Sequence, residues 1–197
     1  MEKSSYKFTV ALIYDFDGTL SPGNMQEFGF IQAIGKKPQE FWQESDDIAS
    51  GQDASNILSY MKLMFDEARK AGIKLRREDF KSFGASVELF PGVLEWFRLV
   101  NDYGKERGVK VEHYINSSGL AEMIEGTPIA KEFKRIFACS FIYNEDGEAV
   151  WPGVAVDYTA KTQFLFKINK GILSVRDNKK VNESQAEDNK RIPFPHM

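Results

Sequence analysis

The sequence predicts an α/β protein with a Rossmann-like, three-layer core built on a parallel sheet. Three observations predict this class. The apolar run FTVALIY at residues 8–14 has the composition of a strand buried on both faces. A second strand is predicted at residues 109–115, with helical patterns between the two. Strands that alternate with helices are typical of parallel sheets covered by helices.

A helical block separates these two strands, with helices predicted at about residues 25–34, 38–49, 54–70 and 77–87. We expect Asp53 to cap the third helix at its start and Gly72 to end it. Its predicted buried face repeats at spacings of three and four and comprises Ile57, Leu58, Met61, Met64 and Phe65. We therefore predict an inserted α-helical cap at 23–90 and a discontinuous core formed by 1–22 and 91–197.

The rest of the chain completes the core. Pro91-Gly92 marks a boundary, a helix follows at 93–108, and a turn with a short helix near 120–125 follows the second strand. A β-hairpin is predicted at 136–156 around Glu145-Asp146-Gly147, and another helix at 159–171. The polar, aperiodic stretch at 178–190 predicts a loop.

Composition limits the possible partners and location. The formal net charge of −3 offers no basic field for nucleic acid, which we do not expect as a partner. No apolar run is long enough to span a bilayer, so no membrane partner is expected and we predict a cytoplasmic protein. Cys139 is the only cysteine, and its apolar surroundings predict a small core residue.

Asp15 and Asp17 follow the first predicted strand directly. In open α/β sheets the active crevice lies beyond the carboxyl ends of the strands, and residues two apart in extended chain face the same side. Two such carboxylates repel unless a cation or a shared proton intervenes, and Mg²⁺ is the simplest partner. The same pattern also occurs in plain turns, whereas the EF-hand calcium-loop spacing does not fit.

The apolar run followed by DFDGTL resembles the first signature of the haloacid dehalogenase superfamily, whose members are mainly phosphatases. The resemblance implies that Asp15 is the nucleophile that forms an aspartyl-phosphate. It implies that Asp17 is the general acid and base, and that both residues contribute to a Mg²⁺ site. A carboxylate can form a covalent intermediate while its neighbour moves a proton.

Two further signatures of that family have counterparts here. YINSSG supplies Ser117, whose hydroxyl would bind a phosphoryl oxygen with the backbone N–H groups of Ser118 and Gly119 at a helix start. DYTAKTQFLF supplies Lys161, which would neutralise charge on the transferred group. Taken alone, Ser-Ser-Gly is also an ordinary turn, and most lysines are merely solvated.

The helical insert resembles the small cap of the phosphoserine-phosphatase-like branch. The family's fourth signature, an acidic loop after a strand that completes the metal shell, has no counterpart, since neither Asp177 nor Asp188 follows an apolar strand. The resemblance therefore implies a core that is incomplete at its C-terminal end. It further implies weakened metal binding and an exposed edge at 8–14 that could pair two copies into a homodimer.

Two functions remain open at this point. The first is a Mg²⁺-dependent phosphatase that hydrolyses a small phosphorylated metabolite, either as a truncated form of a longer enzyme or as a natural short version with weak activity. The second is a catalytically silent protein that binds a phosphate ligand. A helical interaction module at 23–90 is a third, less supported interpretation, since ordinary packing explains its amphipathic faces.

Overall fold

The computed structural model describes residues 6–183 and 192–197. Its sheet contains β1 (Phe8–Tyr14), β2 (Val109–Leu120), β3 (Phe133–Tyr143) and β4 (Ala149–Val154), in that spatial order. The first three strands are parallel, and β4 returns antiparallel to β3 as the predicted hairpin. The predicted α/β class is confirmed.

Helices account for most of the remaining described chain. They are α1 (Phe30–Ala33), α2 (Pro38–Gln52), α3 (Asn56–Lys70), α4 (Arg77–Gly84), α5 (Val93–Glu106), α6 (Ala121–Gly126), α7 (Ala160–Asn169) and α8 (Lys179–Asn182). Short 3₁₀ turns lie at Met25–Glu27, Ala130–Glu132 and Phe194–His196. In the part of the chain that is described, no helix is long and apolar enough to cross a bilayer.

The sheet is covered by helices on both faces. Phe97 of α5 packs edge-on against the His113 ring of β2, with centroids 5.1 Å apart. Phe164 of α7 stacks on Phe137 of β3 at 4.7 Å. Phe137 is in register with Asn116, whereas His113 points the other way because side chains alternate along a strand. The three-layer arrangement follows from this alternation.

The interior of β1 is less buried than the sequence predicts. Ala11 is its only fully buried residue, and the others are partly or fully exposed. Among the described residues β1 pairs with β2 alone, so it lies at the edge of the sheet and one of its sides lacks a neighbouring strand. The His196 ring packs on Phe8 with centroids 4.8 Å apart. Association of two copies through this edge stays a prediction.

Two details of the third cap helix differ from expectation. Ser55, not Asp53, is the N-cap of α3, and its hydroxyl accepts the Leu58 N–H at 3.4 Å. Asp53 instead ends α2 in a left-handed conformation. Leu58 is exposed, and the buried face of α3 is rotated towards Tyr60, Met61, Leu63, Met64 and Ala68. The division of the chain into core and cap remains a prediction.

The second core strand is longer than expected. It continues through Ser117, Ser118 and Gly119 to Leu120, where the sequence predicts a turn. Its pairing with β3 moves from Asn116 opposite Phe137 to Leu120 opposite Cys139. Three residues of β2 therefore stand opposite one residue of β3, which is a bulge in a continuing strand.

The polar stretch after α7 is described only in part. It contains the short helix α8, where the sequence predicts a loop. Asp177, just before it, forms an ion pair with Lys180 at 3.2 Å and follows a helix, not a strand. Asp188 lies outside the described residues.

Helices α4 and α6 contact each other through two glycines. A Cβ built on Gly84 would lie 1.9 Å from the Met123 carbonyl oxygen, and one built on Gly126 would lie 2.0 Å from the Lys81 carbonyl oxygen. Both obstacles are backbone atoms, which cannot move aside without separating the helices. Glycine at these positions therefore allows α4 and α6 to pack closely against each other.

We expect Gly84→Ala to lower the free energy of unfolding by about 1–3 kcal/mol, because the added methyl overpacks this contact. Urea denaturation of the two proteins measures the change. Gly51→Ala in α2 is the matched control, since a Cβ there has no neighbour within 4 Å. That variant should be neutral or slightly stabilising, and equal destabilisation of both variants would contradict the explanation.

Candidate active site

The predicted carboxylate pair lies at the carboxyl end of β1. Tyr14, the last residue of that strand, is in register with Ile115 of β2. Asp15 and Asp17 therefore leave the sheet beside the segment of β2 that contains Asn116 and Ser117. Parallel pairing brings these two strand ends to the same edge of the sheet.

Lys161 reaches this edge from the first turn of α7. Its Nζ donates to Asp15 Oδ2 at 2.7 Å, although 146 positions separate the two residues. The other Asp15 oxygen, Oδ1, accepts the Phe16 N–H at 2.8 Å. Asn116 supports the lysine, since its Nδ2 donates to the Lys161 carbonyl at 2.8 Å. Hydrogen bonds thus link the residue after β1, residue Asn116 of β2 and the first turn of α7.

Asp17 lies in a different environment from Asp15. Its Oδ1 accepts the Met25 N–H at 2.9 Å. Burial raises the pKa of Asp17 to about 7, and the negative charges of Asp15 and Glu27 act in the same direction. The Met25 hydrogen bond and the Lys161 charge lower the pKa and oppose part of this rise. A carboxyl group with a pKa near 7 can both give and take a proton at neutral pH.

Ser117 is buried in the bulge of β2, with 1% of its surface exposed. Its Oγ accepts the Gly119 N–H at 3.0 Å. This differs from the sequence prediction, in which the Ser118 and Gly119 N–H groups lie at a helix start and point to a phosphoryl oxygen. The bulge turns the Gly119 N–H back onto the serine, so the serine hydroxyl keeps its own hydrogen free to donate.

Gly119 occupies a place that no side chain would fit. A Cβ built there would lie 2.2 Å from Met25 Cε and 2.9 Å from Asp17 Oδ2. The Leu120 N–H, next in the chain, donates to Met25 Sδ at 3.1 Å. The bulge of β2 and the turn after β1 therefore pack against each other, and Met25 fills the space that a side chain at Gly119 would need.

Sequence reasoning missed three residues of this site. Asn116 holds Lys161, Met25 binds Asp17, and Tyr60 of α3 donates from its hydroxyl to the Ser118 carbonyl at 2.8 Å. Asn116 could have been found as a polar residue at the end of an apolar strand. No sequence signal separates Met25 or Tyr60 from ordinary core residues.

Glu27 lies near Asp17 and is hydrogen-bonded to Trp42. The Trp42 indole N–H donates to Glu27 Oε1 at 2.7 Å, and the charge of Glu27 acts on Asp17. Arg69 of α3 pairs with Asp66 at 3.5 Å. It lines a separate, mostly apolar cleft of about 790 Å³ between α3 and β4. None of the predicted site residues lines that cleft, so its size does not mark the candidate site.

The candidate metal ligands are oxygen donors, which suit Mg²⁺. In residues 6–183 and 192–197, no cluster of three or more His, Cys, Asp or Glu side chains is suited to a metal ion. The Asp15 carboxylate and the Asp17 carbonyl could supply two of the six oxygens that Mg²⁺ prefers, and water would supply the others.

Cys139 has the buried surroundings that the sequence predicts, and His113 is likewise buried. His113 is buried, its two ring nitrogens contact the Tyr14 hydroxyl and Asn101 Oδ1, and burial lowers its pKa. Cys139 is a free thiol with no exposed surface.

The chain resembles several known proteins. No protein-family model matches it. An uncharacterized protein of Borreliella burgdorferi is 28% identical over 212 residues, which cover 95% of this chain and 72% of the relative. A HAD family hydrolase from Salmonella enterica serovar Typhi superposes with a TM-score of 0.55 at 14% identity over 81% of this chain. The match spans only 50% of the length of that hydrolase.

A phosphoserine phosphatase, solved as a phospho-aspartyl intermediate analogue, also has a similar structure. It superposes with a TM-score of 0.56 at 20% identity, and the match covers 83% of this chain and 72% of the phosphatase. At these identities the likeness establishes a common fold.

Proposed function

We propose that this chain, which has the fold of haloacid dehalogenase-type hydrolases and phosphoserine phosphatases, hydrolyses a small-molecule phosphomonoester. The observation that carries the proposal is the 2.7 Å contact between Lys161 Nζ and Asp15 Oδ2. It brings a cation from α7 onto a carboxylate at the end of β1, and strand pairing places this end next to the segment of β2 that contains Ser117. Such a group of donors suits a transferred phosphoryl group.

In the proposed reaction Asp15 attacks phosphorus and forms an aspartyl-phosphate as the bond to the ester oxygen breaks. Protonated Asp17 gives its proton to that leaving oxygen, so the alcohol departs neutral. Asp17 then takes a proton from water, and the water oxygen attacks phosphorus. The bond between Asp15 and phosphorus breaks, which releases inorganic phosphate and regenerates both carboxyl groups.

The remaining residues orient and neutralise the phosphoryl group. Ser117 would donate its free hydroxyl hydrogen to a phosphoryl oxygen, and Lys161 would offset the charge that Asp15 and the substrate bring together. The Asp15 carboxylate and the backbone carbonyl of Asp17 would hold Mg²⁺, which when bound supplies further positive charge at the phosphoryl oxygens. The phospho-aspartyl form of the similar phosphoserine phosphatase supports Asp15 as the nucleophile.

A second candidate function is a silent phosphate-binding protein. It is favoured by the small number of acidic ligands around the site, since the described residues contain no cluster of three. In that case Ser117 and Lys161 would bind a phosphate ligand without turnover. The partner would still be a small phosphorylated metabolite.

Hydrolysis of p-nitrophenyl phosphate, measured with Mg²⁺ and with EDTA, tests the proposal. We expect Mg²⁺-dependent release of p-nitrophenol that EDTA abolishes. Titration calorimetry with inorganic phosphate separates the alternatives: binding without hydrolysis would favour the silent protein, and absence of both would reject each function.

A further inference from the structure

The peptide between Ser118 and Gly119 is held on both of its sides. Its carbonyl oxygen accepts the Tyr60 hydroxyl at 2.8 Å and the Cys139 thiol at 3.3 Å. Its N–H donates to Ser117 Oγ at 3.0 Å. Tyr60 belongs to α3 of the helical insert, whereas Cys139 belongs to β3 of the sheet.

A trans peptide is planar, and its C=O and N–H point in opposite directions. A partner that fixes the carbonyl of Ser118 therefore also fixes the direction of the Gly119 N–H. That N–H in turn fixes the oxygen of Ser117. The Tyr60 hydroxyl acts on the Ser117 hydroxyl through one rigid unit, without touching it.

These contacts are shielded from water. Tyr60 is 4% exposed and Cys139 and Ser117 are 0% and 1% exposed. The Trp42 ring packs edge-on against Tyr60, with centroids 6.0 Å apart, and limits its movement. Without the phenol, the Ser118 carbonyl would lose the stronger of these two side-chain donors and keep the thiol, which is a weak donor.

We propose that Tyr60 is a positioning residue that orients the Ser117 hydroxyl for the phosphoryl group. The inference rests on the proposed function for its catalytic consequence. It assigns the helical insert a part in forming the phosphate site itself, since one of its buried side chains controls the conformation of the bulge of β2. Tyr60 needs no contact with substrate for this role.

The first test is hydrogen exchange of the Gly119 amide in the ¹⁵N-labelled full chain, measured by NMR. In Tyr60→Phe we expect exchange to accelerate about three- to tenfold, because a typical hydrogen bond contributes that much to an equilibrium. Tyr114→Phe is the matched control, since it removes a buried hydroxyl that donates to Glu112 at 2.8 Å on β2. Unchanged Gly119 exchange in Tyr60→Phe, or equal acceleration in the control, would overturn the proposal.

Cys139→Ala is a second variant, needed if Tyr60→Phe does not fold. It removes the weaker donor to the same carbonyl, so Gly119 exchange should change in the same direction by a smaller factor. If Tyr60→Phe does not fold and Gly119 exchange is unchanged in Cys139→Ala, these donors do not fix the peptide and the proposal is rejected.

The second test is a double-mutant cycle of p-nitrophenyl phosphate hydrolysis. We expect Tyr60→Phe to lower kcat more than it changes KM, and Tyr60→Phe/Ser117→Ala to be no slower than Ser117→Ala alone. If the losses of the two single variants multiply in the double variant, Tyr60 acts on the fold in general and the positioning role is rejected. If the wild-type chain shows no hydrolysis, the proposed function fails, and the amide measurement still decides whether Tyr60 holds the bulge.

Discussion

Replacing Asp15 with asparagine should reduce p-nitrophenyl phosphate hydrolysis by at least about 10⁴-fold, the scale of loss when an enzyme loses its nucleophile. An amide oxygen is a poor nucleophile and cannot form the acyl-phosphate that the proposed reaction requires. The variant should still fold, because the substitution keeps the shape of the side chain. The amide oxygen can still accept the hydrogen bond that Lys161 Nζ donates to Asp15 Oδ2 at 2.7 Å. Steady-state kinetics and a urea denaturation curve measure the two quantities.

Asp146→Asn is the control for this variant. It makes the same chemical change in the exposed hairpin turn and should retain full activity. A mass increase of one phosphoryl group on Asp15 in acid-quenched wild-type enzyme would identify the intermediate directly. Undiminished turnover in Asp15→Asn would reject Asp15 as the nucleophile and with it the proposed reaction.

Replacing Asp17 with asparagine should slow hydrolysis of alkyl phosphates by about 10²–10⁴-fold, the usual contribution of general acid catalysis. p-Nitrophenolate departs readily without a proton, so in the phosphorylation step the loss should be smaller for p-nitrophenyl phosphate. The ratio of the two losses measures the acid role, with Asp15→Asn as the comparison because it should affect both substrates equally. The comparison uses kcat/KM, which reports the phosphorylation step, and equal losses of kcat/KM in Asp17→Asn would contradict proton donation by Asp17.

The protonation of Asp17 also predicts a pH dependence that needs no turnover. Its pKa is about 7 in the folded chain, whereas the ordinary pKa of an aspartate is 3.8, so the folded state binds this proton more tightly than the unfolded chain does. The metal-free wild type should therefore lose stability relative to Asp17→Asn as pH rises from 3.8 to about 7, and the difference should stay constant above that. Urea denaturation at several pH values measures it, and a flat difference would show that burial does not hold the proton.

The amino-acid sequence by itself determined the order and type of most elements. FTVALIY is a strand because β-branched and aromatic residues favour extended chain. Gly147 allows the hairpin turn and Gly171 follows the end of α7, both with positive φ. It also determined that Asp15 and Asp17 follow a strand. These features are local, because they depend on side-chain periodicity and on the conformations that single residues favour.

Only the tertiary structure decided which distant groups meet. Lys161 and Asp15 are far apart in the chain, and parallel pairing with the packing of α7 brings them together. The bulge at Ser117 also depends on pairing with β3, which is why a Ser-Ser-Gly sequence that favours a turn remains in a strand. Tyr60 looks like any core residue until α3 is packed on the sheet. Contacts of this kind arise from the free energy of burying surfaces that are remote in sequence, and no local pattern encodes them.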